Sequence, residues 1–488
     1  MAEEGARHGG RPKPGPGGGG DLISALPEDL LLQVLARLRC ARAAARTGLL
    51  SRRWRGLWAR LPGLTFRDVA LGPLLPALAS LQAPPGVSFS FLDILVPGAG
   101  HAAAAQEVSS LLRAAAALSP VEFRLALPRA PEFLDVDLPR FHRATSIELR
   151  GHYLRLTLPP RPAGFPALQR LSLSGCRVDL AGLIPLCPRL RVLAVAEGLL
   201  DSDITIKSGS LEELAAANLS RWTGRIDVDA PMLKKLALSF SIDGELSVSI
   251  VAPIVDKVSW ECIYSRLTVG LDPWSLSIVS LHAAAELPGE DGACLQQHSN
   301  VLSLQMWACG VTSYPDAELT FEQEIEKHLV TSGFSVLELL FTTMDFDFDI
   351  RSVGHVFGSF VLRLLGMHRI RTATQKLKII FQRPEVKEEC PVNCPCDEPK
   401  NWRSKDISLI NLEQVEIEGL EGEDHEFDFL KVIFRCAPML KRVAVRMSDA
   451  VTTSNDQCSK IYDIFRAYPS VECNVDRTYG FNSKITIS

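Results

Sequence analysis

The chain has 488 residues, with 47% hydrophobic and 22% charged side chains and a formal net charge of −5. That length admits a small module followed by an elongated array, and the composition is that of a folded soluble chain. The negative balance argues against a globally basic nucleic-acid binder, and no apolar run reaches the roughly 18 residues of a membrane-spanning helix.

Residues 1–20, rich in Gly, Pro and charge, are expected to form a disordered tail without the apolar core of a secretory signal. The 12 cysteines are spread along the chain, so reduced, buried thiols in a cytosolic or nuclear protein are expected rather than a disulfide framework.

Ordered structure is expected from Asp21. Pro27 suits the start of a helix, Glu28 and Asp29 favour its positive end, and Leu30, Leu31, Val34, Leu35 and Leu38 recur at helical spacing on one face. Further helical segments are expected over Ala41–Leu50 and Ser51–Arg60, the latter with Trp54 and Trp58 one turn apart. Composition alone describes a plain three-helix bundle with its leucines inward. Charge adds to this: eight arginines face three acids between Asp21 and Phe66, which points to an acidic partner, protein or nucleic acid.

Several pieces of this segment occur in a fixed order. They are Leu26-Pro27, the leucine-rich first helix, Arg46-Thr47, Leu50-Ser51-Arg52-Arg53-Trp54-Arg55, Leu57-Trp58 and Leu61-Pro62. In this order the segment 21–66 resembles the F-box of plant F-box/leucine-rich-repeat proteins. The resemblance implies docking on a Skp-type adaptor, which leads to a cullin, a RING subunit and a ubiquitin-conjugating enzyme. Carried over by position, it implies an adaptor-contact set of Leu26, Pro27, Leu30, Val34, Leu35, Leu50, Ser51, Trp54 and Trp58. Two departures bear on the boundary of the middle helix. Arg39-Cys40 stands where the family often has a Pro-containing turn, and Gly48 stands where Ser is common.

Beyond Pro62, alternation such as Val87-Ser88-Phe89-Ser90-Phe91 predicts strands. A pattern L-x-x-L-x-L then begins at Ala144, Leu168, Leu190, Leu211, Leu233, Val255 and Leu276, in steps of 24, 22, 21, 22, 22 and 21 residues. This is the period of leucine-rich repeats, each adding a parallel strand and an irregular or helical return. One unit cannot bury its apolar edge, so stacking neighbours makes a shared core and leaves a strand face open for recognition. The repeated leucines are core positions. Outward residues between them, such as Gln169, Arg170, Ser172, Arg191, Glu212 and Lys235, are candidates for partner contact, although most such residues are simply solvated. After a loop-like interruption at 286–300, Val301-Leu304-Met306 resumes the pattern.

Further on, a helix is predicted over Asp428–Cys436, between Leu412-Val415-Ile417 and Leu440-Val443-Val445. The order Cys394-Pro395-Cys396, Trp402, Leu412-Glu413, Val415-Glu416-Ile417, Gly422, Phe429-Leu430 and Cys436-Ala437-Pro438 resembles the FBD region of many plant F-box/repeat proteins. A cap on the array is the plainer expectation for this segment. The expected fold is therefore α/β: a three-helix F-box at 21–66, a leucine-rich-repeat solenoid with parallel strands at 67–384 (clearest over 144–281), and an FBD-like cap at 385–488.

Cys390, Cys394 and Cys396 invite a zinc reading, but a structural site needs four ligands and only distant groups such as His425 or Cys436 could complete it. No metal is expected. Asp345, Asp347 and Asp349 match the start of an EF-hand, yet Ile350 replaces its Gly and Val356 its closing Glu. No phosphate loop, dinucleotide-binding glycine set, nucleophile elbow or H-E-x-x-H motif occurs, so neither a catalytic residue nor a cofactor is expected. The leading expectation is a substrate-recognition subunit of a Skp–cullin–F-box ubiquitin ligase, with an unidentified protein substrate and no membrane or nucleic-acid partner. Alternatives are an adaptor-bound scaffold without a role in ubiquitylation, and a repeat body that senses a small molecule.

Overall fold

The computed structural model describes residues 26–67, 69–81, 89–97, 104–160, 164–197, 203–242, 246–264, 269–271, 274–283, 300–308, 321–329, 334–342, 355–382, 394–448 and 455–476. The expected N-terminal tail, the interruption before Asn300, the Asp345–Asp349 run and Cys390 lie outside these residues.

Pro27, in extended backbone, caps helix α1 (Glu28–Arg37), with Glu28 and Asp29 in the first turn and Arg37 in the last. A turn through Arg39, at a left-handed φ of 51°, leads to α2 (Ala41–Arg46). Short 3₁₀ turns follow at Thr47–Leu49, Arg52–Trp54 and Leu57–Arg60. The predicted third helix is thus two 3₁₀ turns, parted at Gly56, whose φ of 74° belongs to no helix. Leu31, Leu35, Ala41, Ala44, Trp54, Leu57 and Leu61 are all buried in the shared core.

The strand array starts at once, with β1 (Gly63–Arg67) running through the boundary expected at residue 66. Then come α3 (Leu71–Ser80), β2 (Phe91–Leu95), α4 (Ala105–Ala117), β3 (Glu122–Ala126), β4 (Leu134–Asp137), β5 (Ser146–Thr157), β6 (Arg170–Arg177), α5 (Leu180–Leu183) and β7 (Val192–Ala196). Between β8 (Asp203–Lys207) and β13 (Lys257–Tyr264), strands alternate between two layers. The intervening strands are β9 (Glu213–Trp222), β10 (Arg225–Asp229), β11 (Lys235–Ile242) and β12 (Ser247–Val251).

Among the described residues the main sheet has 18 strands. Its pairings run in parallel through β1, β2, β3, β5, β6, β7, β9, β11 and β13. Ser146, Arg170, Val192, Glu213, Lys235 and Lys257 are neighbours in register, which is the predicted period realised strand by strand. One row inward, Ile147, Leu171, Leu193, Leu214, Leu236 and Val258 are buried. The return segments were expected to be helical or irregular. Here they form a second parallel sheet, with Asp203, Arg225 and Ser247 in register across β8, β10 and β12.

One repeat departs from expectation. Strand β14 (Val269–Leu271) and β15 (Trp274–Ala283) form an antiparallel pair, and β15 also runs antiparallel to β13, with Trp260 opposite Leu281. Leu276, Val279 and Leu281 are buried as the pattern requires, but their strand is inverted. An alternating apolar pattern does not encode strand direction. A parallel return needs a crossover of about a dozen residues or more, longer than the link from β13 to β15. Strand β16 (Asn300–Ala308) pairs antiparallel with β15 and restores the original direction.

The array continues through α6 (Phe321–Leu329), β17 (Val336–Thr342), α7 (Gly358–Gly366), α8 (His368–Ala373) and β18 (Lys376–Phe381). After it come β19 (Gln414–Leu420), α9 (Asp424–Cys436), β20 (Arg442–Met447), α10 (Asn455–Arg466) and β21 (Glu472–Asp476). From β16 to β21 each strand pairs in parallel with the next. Residues 394–476 therefore extend the same sheet. Helix α9 begins four residues before its predicted start because the buried Glu426 carboxylate accepts from the backbone N–H groups of Gly422 and Glu423.

Candidate protein-docking site

Helix α1 carries two apolar stripes on different faces. Leu31 and Leu35 point into the core, while Leu30, Val34 and Leu38, spaced four apart, remain 41%, 45% and 42% exposed. Leu49 and Leu50, in and just after the first 3₁₀ turn, are 88% and 72% exposed. Large apolar side chains left this open on one small module make it a candidate docking surface. All eight arginines between residues 37 and 60 lie at the surface. The Arg53 guanidinium donates to the Leu26 carbonyl, and Arg60 pairs with Glu28, so two of them brace the start of α1.

The nine residues carried over as adaptor contacts divide by burial. Leu30, Val34 and Leu50 are on the open apolar surface, with Pro27 and Ser51 also exposed. Leu26 and Trp58 are half-buried, whereas Leu35 and Trp54 are interior and shape the module instead of facing outward. Leu38, named only as part of the helical apolar pattern, and Leu49 are not among the contacts carried over from the sequence. Leu38 continues the Leu30–Val34 stripe by one turn, which was the available signal. Leu49 had none beyond its adjacency to Leu50.

The open face of the main sheet is the second surface. Glu148, Ser172, Ala194, Ala215, Ala237 and Ser259 stand side by side on β5, β6, β7, β9, β11 and β13. Past Glu148 this row is small and uncharged. Charge borders it at both ends of the array. On one side Arg124 reaches Glu148 at 3.5 Å. On the other, Lys378 lies 3.8 Å from Glu338 and 3.4 Å from Glu418, and Lys376 lies 2.9 Å from Glu416. These cross-strand pairs neutralise one another, so the face presents a shallow uncharged centre between paired charges. Of the outward residues expected, Ser172 lies on the central row. Arg191 and Glu212 are engaged at 2.6 Å, and Lys235 holds Glu213 at the same distance. The Arg191 and Lys234 hydrogen bonds hold the Glu212 carboxyl below its usual range. Gln169 and Arg170 sit exposed at the entry to β6.

A cavity of about 680 Å³ opens beside β12, lined by Leu236, Leu246, Val248, Ile250, Val258 and Lys327. Among the described residues its one cation, Lys327, is held by Glu324 at 2.7 Å. Next to it His328 stacks on Trp260 with ring centroids 4.0 Å apart, and its Nε2 lies 2.6 Å from the Tyr264 hydroxyl. Burial pushes the His328 imidazole down to about 3 and the Cys176 and Cys187 thiols up to about 12. These are neutral packing groups, unsuited to proton transfer or nucleophilic attack near neutral pH.

A helical module with an open apolar face, joined to a strand array of 21–24-residue period, defines a leucine-rich-repeat binding protein. Residues 109–253 match the family described as FBD-associated F-box protein At5g56370, LRR repeats. The chain is 29% identical over 241 residues to F-box protein At5g03100 of Arabidopsis thaliana, covering 46% of this chain and 71% of that one. It is 28% identical over 189 residues to F-box/LRR-repeat protein 25 of the same plant, covering 36% and 67%. A 46-residue stretch is 54% identical to putative F-box/FBD/LRR-repeat protein At3g49030, also of Arabidopsis thaliana, covering only 9% of this chain and 10% of that one. Over these stretches the chain is similar to plant F-box/FBD/leucine-rich-repeat proteins.

Proposed function

We propose that this chain is the substrate-recognition subunit of a Skp–cullin–F-box ubiquitin ligase, acting in the cytosol or nucleus. Residues 21–66 are its F-box, and through the Skp-type adaptor it reaches the cullin and RING subunits. The observation that carries this reading is the pair of exposed apolar sets, Leu30–Val34–Leu38 and Leu49–Leu50, on an arginine-studded module. Apolar anchors supply affinity once covered, and surrounding arginines steer an acidic partner into place. The uncharged centre of the strand face, around Ala194, Ala215 and Ala237, receives the protein substrate, and residues 394–476 lengthen that face in the manner of an FBD region. The chain contributes no reacting group. It raises the effective concentration of substrate beside the activated ubiquitin.

Binding of the purified full chain to a plant Skp-type adaptor tests this. Leu30→Asp combined with Val34→Asp alters only exposed positions, so the chain should keep its melting temperature. Adaptor affinity should fall by at least about 30-fold, the equivalent of one 2 kcal/mol anchor. Unchanged affinity in that folded variant would remove the basis for the assignment.

A further inference from the structure

We propose that His355, Cys394 and Cys396 form a zinc site that fastens the approach to α7 to the segment leading into the C-terminal strands. In the sequence, Cys390, Cys394 and Cys396 lack a fourth ligand within reach. The fold brings a donor from 39 residues upstream: His355 Nδ1 lies 3.2 Å from Cys394 Sγ. One donor atom from each of the three residues lies within 4.8 Å of the others. Tetrahedral zinc, with bonds of about 2.3 Å to sulfur and 2.0 Å to nitrogen, holds its ligand atoms roughly 3.5–3.8 Å apart. The widest pair therefore has at most about 1 Å to close on metal binding.

Charge favours the same occupant. Zinc(II) with two thiolates and a neutral imidazole sums to zero, so the site can sit in the interior without an uncompensated charge. His355 and Cys396 are buried, and Cys394 is half-buried. On binding, each thiol releases its proton to solvent as its sulfur bonds the metal. Mixed thiolate and imidazole donors select zinc over magnesium or calcium, which take oxygen ligands. Three protein donors leave the fourth position to a further ligand.

The donors stand on braced elements, as a metal site requires. The 3₁₀ turn Pro395–Asp397 carries Cys396, and Cys394 directly precedes it. Asp397 accepts from Trp402 Nε1 at 2.7 Å and from Arg403 at 2.8 Å, and Arg403 also pairs with Asp428 of α9 at 2.9 Å. Ser359 of α7 donates to the Glu398 carbonyl at 2.5 Å. The His355 ring meets Trp274 edge-on, with centroids 5.7 Å apart.

The test is elemental analysis of the full chain, purified with its adaptor from zinc-supplemented cells and dialysed into metal-free buffer. About one zinc per chain is expected, retained in the control Cys176→Ser and lost in His355→Ala and in Cys394→Ser with Cys396→Ser. Replacing zinc by cobalt(II) should give tetrahedral visible bands and a sulfur-to-cobalt charge-transfer band, the latter absent from the double serine variant. The wild-type protein alone can overturn the proposal, whatever the variants do. Absence of zinc together with failure to develop cobalt bands would do so, and equal zinc in wild type and a folded double variant would mark adventitious metal.

Discussion

At the scale of single residues, His328 shows how burial fixes a protonation state and links it to stability. It lies between Trp260 and Tyr264, and burial holds its pKa near 3 against an ordinary 6.5. Burial also raises the Tyr264 hydroxyl above its usual range, so the phenol stays protonated and able to donate to the neutral ring. The unfolded chain takes up a proton at this histidine below about pH 6.5, and the folded chain does not until about pH 3. His328 thus contributes stability that is full above 6.5 and lost as pH falls towards 3, at up to about 1.4 kcal/mol per pH unit. The variant His328→Gln keeps polarity but cannot titrate. Its stability deficit in urea, measured at about pH 7.5 and again at about pH 5, should shrink by roughly 2 kcal/mol at the lower pH. A gap of the same size at both would show that His328 is already protonated in the folded protein. Nothing in the sequence distinguished this histidine, because both of its ring neighbours come from β13, across more than sixty residues of chain.

At the scale of elements, the repeat period was legible because every unit must bury leucines at the same three places. The steps from Ser146 to Lys257 match the pattern residue for residue. Three features were hidden for physical reasons. The early units at β1 and β2 have long helical returns, α3 and α4, so the steps Gly63–Phe91 and Phe91–Glu122 depart from the common period. The inversion of β15 leaves the inward residues unchanged and so leaves no mark on the pattern. Both stripes of α1 are apolar, and only the fold, which buries Leu35 and leaves Val34 45% exposed, tells them apart. The turn geometry at Gly419 gives a sharper test of element-level design. Its φ is 83°, a Cβ there would lie 2.5 Å from the Phe381 carbonyl oxygen of β18, and the β19–β20 register shifts between Glu418 and Leu420. Gly419→Ala should destabilise the protein by about 2 kcal/mol or more, from left-handed backbone strain together with the clash. Gly366, the last residue of α7, has open space around it and serves as the control. Gly366→Ala should be neutral, or stabilising by up to about 1 kcal/mol. Equal effects in chemical denaturation would refute this account of the bulge.

At the scale of the whole molecule, the question is whether residues 394–476 are an appendage or part of one core. The aromatic contacts answer it. Trp274 of β15 meets Phe341 of β17 at 4.7 Å between centroids, Phe341 meets Phe357 at 6.0 Å, and Phe357 meets Phe429 of α9 at 5.0 Å. The Trp402 ring lies over Gly358 so closely that a Cβ there would come within 2.5 Å of it. A chain ended at residue 384 would therefore lose Phe429 and Trp402 from a shared aromatic cluster. It would also leave β18 as an open edge in place of its ladder to Gln414–Glu418. In a stacked array each unit is held mainly by its neighbours, and an uncovered hydrophobic end destabilises the units before it. An unpaired strand edge also templates association. The truncated protein is expected to melt at least about 5 °C lower and to elute as aggregate in size-exclusion chromatography. Removing residues 1–60 should do less, since Gly63–Arg67 stays paired with Phe91–Leu95 and α3 and α4 still pack together behind these strands. A C-terminal truncation that stays monomeric with an unchanged melting temperature would mean that the strands from Gln414 onward are an independent unit, and the single-core description would fall.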